Sequence, residues 1–77
     1  MKNFFNPYNY NVDEVLREAH EMISVLMQRK AEKGWLDMIE NEARFWANCV
    51  ITNAEIGIMN NNVDKMRQMR KEVGIEA

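Results

Sequence analysis

From Val12 onward, apolar side chains return every three or four residues: Val12, Val15, Leu16, Ala19, Met22, Ile23, Leu26 and Met27. That spacing gathers them into one broad stripe along an α-helix. Asn11 is a good N-cap, and Glu14 stands three residues later, as a capping box requires. Tyr10 and Val15 occupy the positions of a hydrophobic staple. Asp13, Glu14, Glu18 and Glu21 lead, while Arg29, Lys30 and Lys33 close, an order that suits the helix dipole. Gly34 is a natural residue to follow the last turn. The pattern predicts a first helix over 12–33.

A second helical pattern starts near Trp35 or Leu36. It carries Leu36, Ile39, Ala43, Trp46, Ala47, Val50, Ala54 and then Ile58. Beside it runs another stripe: Met38, Phe45, Cys49, Ile56, Met59, Val63 and Met66. One partner helix cannot cover both stripes, so the excess apolar face calls for a further helix or another subunit. The tract Asn60-Asn61-Asn62 reads two ways. It breaks the chain, with Asn61 or Asn62 capping a last helix from Val63 to about Val73, or it is an exposed stretch of one continuous helix, since asparagine is a mediocre helix former and not a prohibitive one. The favoured expectation is a long second helix over 35–73, bent or interrupted near 60–62 and ended by Gly74. The connection between the two helices is short, and short connections make antiparallel neighbours. The expected fold is all-α: an antiparallel helical hairpin that assembles into a homo-oligomeric bundle.

Residues 1–11 do not join a helix, because Pro7 and four asparagines oppose one. Phe4, Phe5, Tyr8 and Tyr10 make the segment too aromatic for a free tail. It is expected to fold back toward roughly 58–62, either as a hydrophobic lid or as a stacking platform for a planar ligand.

Size sharpens the case for assembly. The chain has 77 residues, enough for a single domain over 1–77 whose core is small. Cys49 is the only cysteine, so no internal disulfide is available, and a partner subunit becomes the expected staple, in anything from a dimer to a hexamer. The lone thiol reads as a small buried hydrophobe and fits a reducing compartment. A formal net charge of -2, with 29% charged and 47% hydrophobic residues, is a globular balance and not the basic excess of a general nucleic-acid binder. No apolar run approaches the roughly 20 residues that span a bilayer. Lys2 is followed by no apolar stretch of the kind a signal peptide carries, so a cytoplasmic location is expected.

Candidate chemistry is sparse. His20 is the only histidine, which leaves no multi-histidine metal site within one chain. The carboxylate pairs Glu18 with Glu21 and Asp37 with Glu40 fall at different heights of a hairpin, roughly 15 Å apart at the rise of an α-helix. Ser24 lies one turn from His20, without the strand-turn-helix elbow of a nucleophile. Gly34, Gly57 and Gly74 are isolated, so no phosphate-cradling glycine loop exists. The expectation is a protein that is not an enzyme and holds no cofactor or metal. The cluster Lys65, Arg67, Arg70 and Lys71 reads either as cations favoured at a helix C-terminus or as a patch that meets phosphates. Arg44, Asn48 and Thr52, at successive i, i+4 positions, line one polar edge of an otherwise apolar segment. They are either a hydrogen-bond ladder between subunits or donors and acceptors of a ligand pocket.

The segment from Ala43 to Met59 resembles the second helix of the phage nucleotide-sponge hairpin family, the anti-CBASS and anti-Thoeris sponges. The family pattern is an Ala-Arg pair, a threonine, a glutamate three residues on, a small residue and a methionine; here these are Ala43-Arg44, Thr52, Glu55, Gly57 and Met59. The chain departs from the pattern at Asn53, where the family often has histidine, and at Asn60, where it often has tryptophan or arginine. The resemblance implies compact oligomers of helical hairpins whose pockets between subunits hold cyclic nucleotides or cyclic ADP-ribose derivatives without cleaving them, in the cytoplasm of an infected host. It marks Arg44 and Thr52 as site residues. Chemistry adds Asn48 on the same edge, Tyr8 and Tyr10 for stacking on a purine, and Arg67 for phosphate. Two other classes stay open: a small interaction module that docks an apolar face on a host protein, and a small nucleic-acid-binding regulator.

Overall fold

The computed structural model describes residues 3–75. Three helices account for most of them: α1, Val12–Lys33; α2, Met38–Glu55; and α3, Asn62–Glu72. Among the described residues there is no strand, only one isolated bridge in the parallel sense between Phe5 and Ile58.

α1 begins where Asn11 accepts a hydrogen bond from the Glu14 amide at 3.0 Å. It ends at Gly34, whose φ of 85° lets its N–H turn back to the carbonyl of Lys30 at 2.7 Å. A side chain there would resist that left-handed backbone. The reciprocal capping box falls elsewhere, on α2. The Asp37 side chain accepts from the Glu40 amide at 2.8 Å, and the Glu40 carboxylate accepts from the Asp37 amide at 3.0 Å. This corrects the expected start of the second helix near Trp35. Leu36 is drawn into the core, Trp35 points to solvent, and the helix waits for its cap at Asp37.

The long helix expected over 35–73 is two helices. The chain breaks over residues 56–61, starting four residues ahead of the asparagine tract, the expected place of an interruption, and taking in Asn60 and Asn61. Two features cause the break. Gly57 adopts φ 82°, and the amides of Ile56 and Ile58 both donate to the Asn53 carbonyl, at 3.2 and 2.8 Å, which ends the helical ladder. The N-terminal arm then takes up the freed groups: Phe5 N–H donates to the Gly57 carbonyl at 2.8 Å, and Met59 N–H donates to the Phe5 carbonyl at 2.7 Å. α3 starts without a side-chain cap from Asn61; the Asn60 side chain accepts from the Asn62 amide instead, at 3.0 Å.

The arm itself is a built turn. Asn6 clamps it, donating from its side chain to the Tyr10 carbonyl at 2.8 Å and accepting from the Tyr10 amide at 3.0 Å. Asn9 closes the turn at φ 56°, a conformation asparagine tolerates well. Phe4 and Tyr10 pack on the core, whereas Phe5 and Tyr8 remain exposed.

The core is a seam of small and flexible side chains. α1 contributes Val15, Ala19, Met22 and Leu26, and α2 contributes Ala43, Ala47, Val50 and Ala54. Both sets repeat at intervals of four, three and four, so each lies on one helix face. Alanines at the crossing leave room for the two backbones to approach, and Met59, Val63, Met66 and Met69 fill the space under α3. Each fully buried methionine contributes about 1.5–3 kcal/mol by leaving water.

Candidate functional site

Because 43, 47, 50 and 54 face inward, the opposite face of α2 looks out. It carries Met38 and Phe45, with Ile56 just past its end, at 85, 56 and 68% exposure. These large apolar side chains form an interrupted stripe open to solvent. Part of this face is concave. A cleft of about 290 Å³ lies against α2 and the first residue of α3, lined by Phe45, Asn48, Cys49, Thr52, Asn53 and Asn62. The break after α2 is what brings Asn62 there, since a continuous helix would have carried it about two turns past Glu55 along the axis.

The chemistry of the wall is neutral. Three carboxamides, a hydroxyl and a half-buried thiol meet one aromatic ring. The side chains of Asn48, Asn53 and Asn62 hydrogen-bond to nothing among the described residues. Phe45 is held in place by Trp46, edge to face at 5.2 Å between centroids and 82° between planes. Arg44 sits one turn before Asn48 on the same helix, half-buried, and forms no ion pair among the described residues.

Tyr8, Tyr10 and Arg67 form a separate constellation. The two tyrosine rings lie 5.8 Å apart and tilted by 44°. The Arg67 guanidinium stands 5.8 Å from the Tyr10 ring centroid, within cation–π range. Tyr10 is held above its ordinary value of 10.0 by partial burial, reinforced by the nearby Asp64 carboxylate. Arg67 is committed elsewhere: its Nε donates to the Glu18 carboxylate at 2.8 Å and its second amino group reaches the other oxygen at 3.4 Å. That pairing raises the Arg67 pKa further.

The six candidates from the sequence therefore divide. Asn48 and Thr52 meet in the cleft, with Arg44 on the same helix one turn away; Tyr8, Tyr10 and Arg67 meet beside the arm. The cleft wall contains no tyrosine and no arginine. Phe45, Cys49 and Asn62 join the site without having been candidates for it, and so does Asn53, which the sequence marked only as a polar interruption of the segment and a departure from the sponge pattern. Phe45 carried a signal as a member of the second apolar stripe. Asn62 carried none, because its place depends on where the helix breaks.

The basic cluster on α3 is largely neutralised. Arg70 donates to the Glu21 carboxylate and to the Glu18 carbonyl, both at 2.7 Å, and Lys65 lies 4.0 Å from Glu42. With Arg67 also paired, Lys71 is the member left to solvent with no ion pair among the described residues. A second cleft, of about 370 Å³, opens between the arm, α1 and α2, lined by Phe4, Leu16, Ile51 and Ala54 with His20 and Glu55. Among the described residues no three or more His, Cys, Asp and Glu side chains converge as metal ligands. No helix among them is long and apolar enough to cross a membrane.

Set against known protein families, characterised proteins and solved structures, the chain matches none.

Proposed function

We propose that this protein is a non-enzymatic, self-associating binder that sequesters a nucleotide second messenger, a cyclic oligonucleotide or a cyclic ADP-ribose derivative, in pockets completed between subunits. The observation that carries the reading is the outward face of α2. There a cleft lined by Asn48, Thr52 and Phe45 opens among exposed apolar side chains, so one surface offers both a ligand wall and a place for a second copy. At about 290 Å³ this cleft is at the small end for ligand sites, roughly 300–1,000 Å³, and in this reading a second copy seated on the same face enlarges it. In this reading α1 and α2 form an antiparallel hairpin, tied at its turn by Lys33 to Glu40, and α3 closes one flank. Arg44 meets phosphate from the rim of the pocket. The resemblance of residues 43–59 to the phage sponges supports the same assignment, and the location that goes with this reading is the cytoplasm of an infected cell.

Calorimetric titration with cyclic di- and trinucleotides and cyclic ADP-ribose isomers tests it, alongside light scattering. Binding of at least one of these by an oligomer, weakened by Arg44→Ala, is the expected result. A stable monomer at micromolar concentration, or an oligomer that takes up none of them, would overturn it.

A second reading has its own observation. Trp35, Met38 and Ile39 are exposed together around the turn into α2, an apolar end suited to docking on another protein. Substituting Trp35 and Ile39 by serine, with Met38 of the self-association face kept, leaves nucleotide binding intact if the first reading holds.

A further inference from the structure

We propose that the α2 cleft is a base-reading subsite that selects adenine over guanine. The inference rests on the nucleotide-binding reading and adds to it the identity of the base. The cleft is too small for a whole cyclic dinucleotide, but it has room for one heterocycle with the sugar and phosphate outside. Phe45, fixed by its edge-to-face contact with Trp46, supplies a flat apolar wall for the base to lie on.

The edges of the base are then read by carboxamides. Each of Asn48, Asn53 and Asn62 places an N–H donor next to a C=O acceptor. Adenine presents the complement side by side: an acceptor at N7 and a donor at the N6 amino group. Guanine presents two acceptors there, O6 and N7, which call for the paired donors of arginine or lysine. Neither residue stands in the wall. The other edge of guanine sets O6 beside donors at N1 and N2. A carboxylate would take both donors, and the wall contains none. One carboxamide can meet only O6 and N1 and leaves the N2 donor unpaired, so guanine is the poorer match. None of the three carboxamides is occupied by a partner among the described residues, so a ligand does not have to displace one. The Thr52 hydroxyl, able to donate or accept, leaves the preference to the amides.

The test compares two pairs of probes that differ only in the base: adenosine and guanosine 5′-monophosphate, and cyclic di-AMP and cyclic di-GMP, each titrated calorimetrically into the full chain. The adenine member of a pair is expected to bind about 5- to 150-fold more tightly, the discrimination of one good bidentate contact. Asn48 is exposed on α2, so Asn48→Ala leaves the fold intact by circular dichroism and is expected to erode the preference. Asn48→Asp, which keeps the acceptor and removes the donor, shifts it toward guanine. Phe45→Ala weakens both members of a pair alike. Equal or tighter binding of the guanine member overturns the adenine assignment and leaves the nucleotide reading standing. A preference untouched by Asn48→Ala and Asn53→Ala overturns the cleft as its source. Failure of all four probes, of the cyclic trinucleotides and of the cyclic ADP-ribose isomers sinks both readings together.

Discussion

Arg67 of α3 and Glu18 of α1 are joined by a two-point contact, Nε to Oε1 at 2.8 Å and the second amino group to Oε2 at 3.4 Å. The Glu18 side chain is 7% exposed, whereas Arg67 keeps a third of its surface in water. Removing one partner of a fully buried pair costs roughly 3–5 kcal/mol, because the other charge is stranded. Arg67→Ala strands the buried carboxylate but opens a path for water to it. The expected loss is therefore about 2–3 kcal/mol, read by urea denaturation. Glu18→Gln, which strands only a part-exposed cation, is expected to lose less. A double-mutant cycle should show coupling; additive losses would mean the contact is not formed in solution.

Gly57 and the arm act as one joint. The glycine's φ of 82° turns the chain so that Phe5 can bond on both sides of Ile58. Gly57→Ala places a Cβ in a left-handed conformation and is expected to cost about 1–2 kcal/mol. Gly74→Ala has φ 78° but no neighbour within 4 Å and no strand-like contact to lose, so it should cost less. Hydrogen exchange supplies the finer check. In Gly57→Ala, the amides of Phe5 and Met59 should lose protection before those of α1.

Acid should weaken the fold in a way that can be traced. Glu40 is held below its ordinary value of 4.5 chiefly by its hydrogen bond to Lys33, then by the Asp37 amide. Glu21 is lowered mainly by Arg70. A carboxyl whose folded pKa lies below the unfolded one contributes stability that is present above the unfolded value and is lost as pH falls through the folded one. The difference in melting temperature between the native chain and Glu40→Gln should shrink between about pH 7 and about pH 3. Tyr10 has the opposite sign: its raised value stabilises the folded state below 10 and ceases to do so as pH climbs past it. Tyr10→Phe should flatten that alkaline limb. A constant gap at all pH would remove the ion-paired account of Glu40.

The α1–α2 crossing tolerates little added volume. Ala43 and Ala47 are fully buried opposite α1. Ala47→Leu is expected to destabilise by about 1–3 kcal/mol through overpacking. Met22→Ala should destabilise by about 2–5 kcal/mol through the cavity it leaves. A thermally neutral Ala47→Leu would mean that the helices are further apart than the buried alanines require.

Much of the helical architecture was legible in the sequence. The ends of α1 could be read because both carry local chemistry: a capping asparagine and a glycine that reverses the chain. Asp37 and Glu40 bore the same kind of signal for α2, in the spacing of a capping box, but the apolar Trp35 and Leu36 in front of them drew the helix start too early. The break after Glu55 was harder. Asparagines are visible breakers, yet the decisive groups are one glycine and the backbone of Phe5, some fifty positions away in the chain. Distant pairing of this kind leaves no periodicity behind. The ion pairs between α1 and α3 were half visible: Glu18 and Glu21 have the same spacing as Arg67 and Arg70. Matching doublets on two helices state that they fit, but only packing decides that Glu18 is buried by the match. The site divided along the same line. Asn48 and Thr52 belong to one helix, and helical spacing places them together. Asn62 reaches the same cleft only because the helix stops.

The distribution of methionines gives the fold a chemical recorder. Met22, Met59, Met66 and Met69 are sealed in the core at 1% exposure or less, while Met27 and Met38 stand at 43 and 85%. Thioether oxidation follows access. Mild peroxide should therefore mark the outer pair first and spare the inner four for as long as the chain stays closed, so that the ratio of inner to outer sulfoxide, read by mass spectrometry, measures how often the interior opens.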